Sequence, residues 1–129
     1  MKRLSLVYLD THVTMWLYDG LVERLSPAAT SAIETGSLML GGMAELELQY
    51  LFEIRRIRPT GGEIVNTLAE EVGLKSSEVA FGLIVRKAGE LSWARGPFDR
   101  LICAEALVAG GRLISQDETI LEHCRAALW

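Results

Sequence analysis

The chain has little of what usually announces a chemistry. Its 129 residues include only two cysteines and two histidines. Cys103 and Cys124 form no C-x-x-C pair, and Cys103 lies in an apolar helical run, where a reduced, buried thiol is the plain reading. His12 and His123 are too far apart in pattern to read as a metal pair. Positive charge is also short: 13 Lys and Arg stand against 17 Asp and Glu, for a net charge of −4 and a pI near 5.2. A protein that held nucleic acid by charge alone would be basic, so any such contact must be local or mediated by metal. There is no long apolar run. Met1-Lys2-Arg3-Leu4 opens on charge and meets Asp10 a few residues later, too short a stretch for a secretion signal and far too short for a membrane span. With two unpaired cysteines, that predicts a cytoplasmic protein with no membrane association. Internal repeats, low-complexity tracts and domain boundaries are absent too. What is abundant is hydrophobicity, at 50% of residues, enough for one domain over residues 1–129 with its own core.

Short apolar runs alternate with helical patterns. Leu4 to Leu9 reads as a buried strand, and His12 to Tyr18 as a helix. Ser26-Pro27 starts a helix that Gly36 stops, with Ser as N-cap and Pro at the first helical position. Leu38 to Leu40 reads as a second strand, ended by Gly41-Gly42. A long helix is predicted from about Ala44 to Ile57, with Leu46, Tyr50, Leu51, Ile54 and Ile57 on its apolar face and Arg55, Arg56 and Arg58 closing it. Thr60 to Glu63 has the form of a capping box, opening a helix to about Glu71. Val72 to Leu74 is the candidate third strand. Ser76-Ser77 is read as capping a helix to Lys87, with Gly89 ending it. Pro97 starts a helix to about Val108, Arg112 to Ser115 is a strand, Asp117 opens a short helix to about His123, and Ala126 to Trp129 adds an edge strand. Alternation of this kind predicts an α/β fold, a three-layer αβα domain around a mostly parallel sheet of four to five strands.

Four isolated acids, Asp10, Glu47, Asp99 and Asp117, fall where strand-like runs hand over to helix-like runs. Each has a bland reading. Asp10 and Asp117 suit helix N-caps, with Ser115 and Glu118 as a rival capping box for the latter. Glu47 and Asp99 suit the first turns of helices, where acids complement the macrodipole. Their shared topology says more. Ligands of open α/β sheets bind outside the carboxyl ends of the strands, so these acids would converge. Clustered carboxylates repel, and an all-oxygen set that holds a cation suits Mg²⁺ or Mn²⁺. Metal-activated water acting on phosphate is then the simplest chemistry available. Arg95 and Arg100 flank Asp99 and are placed for phosphate contact, and His12 follows Asp10 closely enough to touch substrate. Trp16, Trp93 and Phe98 read as core or interface.

These residues carry a resemblance. Tyr8-Leu9-Asp10-Thr11-His12-Val13 with Trp16-Leu17, then Leu46-Glu47-Leu48-Gln49-Tyr50-Leu51, then Ser92-Trp93 followed by Pro97-Phe98-Asp99-Arg100-Leu101-Ile102-Cys103-Ala104-Glu105-Ala106, and finally Leu113-Ile114-Ser115-Gln116-Asp117, resemble the motifs of the PIN-domain family, in particular its VapC-like ribonuclease toxins. The match runs the whole chain in the expected order. The resemblance implies a Mg²⁺ or Mn²⁺ site in which Asp10, Glu47 and Asp99 are the core acids and Asp117 the fourth, supported by Thr11 and Ser115. It implies cleavage of single-stranded RNA, a homodimer, and silencing by a VapB-like antitoxin. The Leu-Glu-Leu-Gln-Tyr-Leu register selects Glu47 over Glu45. Two departures stand out: Gly96 replaces the first acid of an Asp-Pro-Phe-Asp pattern, and Gly41-Gly42 replaces a Ser-Pro-like pair. Two rivals are a non-catalytic PIN-like module that binds RNA or protein, and a phosphoacceptor receiver domain. The complete acid set disfavours the first. Asp10 standing alone, and no suitably placed Lys, disfavour the second.

Overall fold

The computed structural model describes residues 4–129. The reading of Met1 to Arg3 as a charged start lies outside them. Five strands form one wholly parallel sheet in the order β3-β2-β1-β4-β5. In chain order, β1 (Leu6–Leu9) leads to α1 (Thr11–Tyr18), and after a 3₁₀ turn at Val22–Arg24 to α2 (Pro27–Thr35). Next come β2 (Ser37–Leu40), α3 (Gly42–Glu53), α4 (Gly61–Val72), β3 (Lys75–Ser76) and α5 (Phe81–Ala88). The chain closes with α6 (Pro97–Ala109), β4 (Arg112–Ile114), α7 (Glu118–His123) and β5 (Ala127–Leu128).

Successive residues of a strand point to opposite faces. Val7, Tyr8 and Leu9 are nonetheless all buried, as are Leu113 and Ile114, so both faces of the central strands are covered. That is the condition for an all-parallel sheet and the reason these strands read as continuous apolar runs. It matches the expected αβα layering and strand number. β1 is central, with Tyr8 in register with Met39 on one side and Leu9 with Ile114 on the other. The chain moves outward from β1 to β2 and β3, then crosses to β4 and β5. The order therefore reverses beside β1, and such a switch point is where open α/β sheets form their crevice.

The local start signals are made as read. The Ser26 hydroxyl accepts the Ala29 N–H and that of Thr60 accepts the Glu63 N–H. Asp117 caps α7, so Ser115 and Glu118 do not form the rival box.

Four expectations are corrected. Val72 to Leu74 is not a strand: Val72 ends α4 and Gly73 turns the chain in the left-handed region at φ 73°, so pairing begins at Lys75. Ser76-Ser77 caps no helix, because Ser76 lies in β3 and Ser77 bonds the Tyr8 hydroxyl at 2.8 Å; α5 starts from Ala80 without a side-chain cap. The long helix ends at Glu53, short of Ile57, but arginines do close it: Arg55 takes a left-handed φ of 61°, and the Arg55 and Arg56 N–H groups donate to the Phe52 and Leu51 carbonyls at 3.0 and 2.8 Å. Most of the apolar face expected there is turned outward: Leu46 is 55% exposed, Tyr50 46% and Ile54 44%, whereas Leu51 is half-buried and Ile57 packs against the core, and within the helix Ala44 and Leu48 supply the buried contacts.

Candidate active site

Asp10, Glu47, Asp99 and Asp117 line a single cavity of about 360 Å³, together with His12, Val13, Trp16 and Gln116. Each acid arrives from a different segment. Asp10 is the residue after β1 and the N-cap of α1, and its Oδ1 accepts the Thr11 N–H at 2.8 Å. Glu47 stands in the second turn of α3. Asp99 is the third residue of α6, after the Gly96 N-cap and Pro97. Asp117 follows β4 and caps α7, its Oδ1 accepting the Ile120 N–H at 2.9 Å. The cap readings of Asp10 and Asp117 are thus true, and they coexist with convergence on the cavity. Glu45, the rival of Glu47, lies outside it, where its carboxylate takes a long 3.5 Å hydrogen bond from Ser76.

Hydroxyls hold the carboxylates in place. The Ser115 hydroxyl donates to Asp10 Oδ2 at 2.7 Å and accepts the Asp117 N–H at 3.1 Å. The Thr11 hydroxyl donates to Glu47 Oε1. Thr14, fully buried, donates to the Asp10 carbonyl at 2.9 Å. Thr11 and Ser115 were singled out by sequence. Thr14 was not, although a hydroxyl four residues after an N-cap is the kind of residue that bonds back along a helix.

Asp99 carries the electrostatic cost. Burial pushes its carboxyl up to about 6, with further upward pressure from the charges of Asp10, Asp117 and Glu47, while His12 opposes the shift. A carboxylate raised by its neighbours is a group that gains from a cation. The oxygen-only donor set has the chemistry of a Mg²⁺ or Mn²⁺ site. Among the described residues no three Asp, Glu, His or Cys side chains form a ready-made metal-holding group, so holding an ion requires the acids to draw together within the cavity.

The basic residues divide. Arg95 lines a second cavity of about 420 Å³ that shares Asp99 and Asp117 with the first and has Trp93, Gly96 and Thr119 among its other walls. The Arg100 Nε donates to the Ala94 carbonyl at 2.9 Å, which ties down the loop before α6. His12 is exposed at the rim of the first cavity. Trp16 packs edge-on against Trp129 at 5.9 Å while lining the cavity, and Trp93 stacks on His123 at 5.3 Å. Gln116, Trp16 and Thr119 are lining residues that no sequence spacing marked. Cys103 and Cys124, distant in sequence, are both free and buried; the Cys103 thiol is pushed up by its hydrogen bond with Cys124 and by burial. Among the described residues no helix is long and apolar enough to cross a membrane.

Known proteins resemble the chain over nearly all of its length. No family model matches it. Ribonuclease VapC22 of Mycobacterium tuberculosis is 32% identical over 126 residues, covering 93% of each chain. Among solved structures, VapBC2 from Rickettsia felis bound to a DNA fragment from its promoter superposes with a TM-score of 0.67 at 12% identity, covering 95% of this chain and 96% of the other. A toxin–antitoxin complex from Klebsiella pneumoniae gives a TM-score of 0.66 at 13% identity, with the same coverage. At such identities the two structures speak for the fold. The curated relative, similar over nearly the whole length of both chains, speaks for descent: the chain belongs to the VapC ribonucleases of the PIN-domain family.

Proposed function

We propose that the protein is a Mg²⁺- or Mn²⁺-dependent endoribonuclease that hydrolyses phosphodiester bonds in single-stranded RNA, acting as the toxin of a toxin–antitoxin pair. The observation that carries this is the meeting of Asp10, Glu47, Asp99 and Asp117 in one cavity, with Asp99 pushed up by burial and then by the other three. A divalent ion held by these acids would lower the pKa of a water and polarise a phosphoryl oxygen.

The protein's own residues set the stage. Asp10 is fixed by Thr11 and Ser115, and Glu47 by Thr11, so two metal-holding carboxylates share one buried threonine. Asp99 must lose its proton before it can hold a cation. Asp117, exposed and anchored through one oxygen, has its other oxygen available to the cavity. His12 at one rim and Arg95 in the adjoining cavity are positioned to meet the RNA chain on either side of the acids.

The solved relatives are complexes with antitoxins. We extend that to a VapB-like partner for this chain, and to pairing of two copies. Exposed Leu46 and Phe81, which wall a mostly apolar cavity, favour a protein partner. The decisive assay is cleavage of single-stranded RNA with and without Mn²⁺, for the native protein and Asp99→Asn. Equal cleavage by both, or cleavage indifferent to chelator, would overturn the proposal.

A further inference from the structure

We infer that Glu105 is a positioning residue for the acid site: from α6 it caps the start of α3, and so fixes the helix bearing Glu47 against the helix bearing Asp99. The inference rests on reading these acids as the working set.

Glu105 is only 4% exposed. A glutamate so deeply buried ordinarily has a cationic partner. Among the described residues the one ion pair joins Lys87 to Glu90, so Glu105 has no charged partner among them. Its Oε1 instead accepts the N–H of Gly42, the first residue of α3, at 3.3 Å. That helix needs an outside cap. Its N-cap residue is Gly41, which has no side chain to offer, and the first N–H groups of a helix have no partner within it. The positive end of the helix takes the place of the missing cation. Met43, Leu46, Ile84 and Leu101 wall the cavity that Glu105 also lines, and such apolar surroundings strengthen the bond.

The glycine is the counterpart of the carboxylate. A Cβ on Gly41 would stand 2.8 Å from Glu105 Oε1 and 3.2 Å from its carboxyl carbon, whereas one on Gly42 meets nothing within 4 Å. Gly41 is therefore fitted to Glu105, while Gly42 is unconstrained. This gives the Gly41-Gly42 departure from the family pattern a physical reason: the cap has moved from the residue before α3 to a side chain on α6.

The consequence for the site is direct. Glu47 follows Gly42 by five residues, roughly 7.5 Å along the helix axis. Its carboxylate is held locally by Thr11, and its helix is held at the start by Glu105. On α6, Asp99 and Glu105 share one rigid element. Outer residues that orient metal-holding groups typically matter about 10- to 100-fold in metal affinity or activity.

The test uses the full chain with Glu105→Gln, Glu105→Ala, Gly41→Ala and Gly42→Ala, and Leu107→Ala as a stability control on α6. Three quantities are read: hydrogen exchange at the Gly42 and Glu45 to Glu47 amides, Mn²⁺ affinity by calorimetry, and kcat and KM for RNA cleavage. Glu105→Ala should speed exchange at these amides roughly tenfold or more, and weaken Mn²⁺ binding and lower kcat by about tenfold with little change in KM. Glu105→Gln, whose carbonyl accepts the same N–H, should recover most of this. Gly41→Ala should mimic Glu105→Ala, the double variant should be no worse than either, and Gly42→Ala should be neutral. Unchanged exchange in Glu105→Ala, a metal defect no larger than in Leu107→Ala, or failure of Gln to rescue would each overturn the inference. Native protein that binds no Mn²⁺ would overturn the metal reading instead, and the exchange data would still decide whether Glu105 holds α3.

Discussion

The Ser115 hydroxyl donates to Asp10 Oδ2 at 2.7 Å across 105 positions of sequence. The Ser115 hydroxyl also accepts the Asp117 N–H, so one small buried residue sets the spacing of the carboxylates that follow β1 and β4. Ser115→Ala removes both bonds at a fully buried position. The expected outcome is a loss of about 1–3 kcal/mol in metal-free unfolding, with Mn²⁺ affinity lower by about tenfold. Denaturant titration and calorimetry check the two halves separately. Metal affinity equal to the native protein's would show that Asp10 keeps its place without Ser115.

Thr11 offers a cleaner separation of fold from site. It is fully buried and its hydroxyl serves Glu47. Thr11→Val keeps the shape, removes the donor and leaves the carboxylate short of one partner. The expected cost in stability is about 1–2 kcal/mol, with a marked fall in Mn²⁺ affinity. Thr11→Ser restores the hydroxyl and should restore binding at some cost in packing. If Val and Ser variants bind Mn²⁺ alike, the hydroxyl has no part in holding Glu47.

Asp99 gives the pH dependence. Its folded carboxyl is raised from 3.8 to about 6, so between those values the folded state holds a proton that the unfolded chain has released. Stability from this group is therefore fully present below about pH 3.8 and is lost as pH rises through about 6. In metal-free protein, Asp99→Asn should gain stability relative to the native chain as pH climbs across that interval, with no further gain above it. Mn²⁺ binding needs the ionised form, so it should strengthen, and RNA cleavage should rise, over the same interval. Thermal unfolding from pH 4 to 8, with Mn²⁺ and with chelator, reads both trends. A native-minus-variant difference that is flat with pH would count against a raised Asp99.

Gly96 stands where the family pattern that the sequence resembles has an acid. It caps α6 without a side-chain bond, and a Cβ there meets nothing within 4 Å. Gly96→Asp should fold normally, gain a few tenths of a kcal/mol from the cap, and add negative potential beside Asp99. Tighter Mn²⁺ binding is expected by calorimetry, together with a further upward shift of the pH midpoint. Weaker binding would show that the added carboxylate competes with the site.

The sequence was most readable where one residue sufficed to stop or start an element. Ser26, Thr60 and Asp117 cap as read, and the apolar runs of β1 and β4 carry their own burial. It was least readable where distant parts decide. The 2-residue β3 is too short to carry a pattern, and Gly73 was needed to place it. Leu46, Tyr50 and Ile54 have helical spacing but face outward, because spacing defines a stripe without saying what covers it. Asp10 and Asp117 were legible from their position after β1 and β4, and Glu47 from the helix that follows β2; Asp99 opens a helix that follows α5 and not a strand, so the strand-to-helix reading fails there and the motif alone marked it. Glu105 was not legible, since an acid amid Ala104 and Ala106 gives no sign of the helix start it meets.

Between Glu47 and Asp99 the chain lays down α4, β3 and α5 without supplying any of the four acids. Phe81, Leu83 and Val85, all on α5, are exposed. The molecule is thereby divided into a part that carries the four acids and a part whose exposed apolar residues stand apart from them. Substitutions in the middle third can reshape that outer face while leaving all four carboxylates in place.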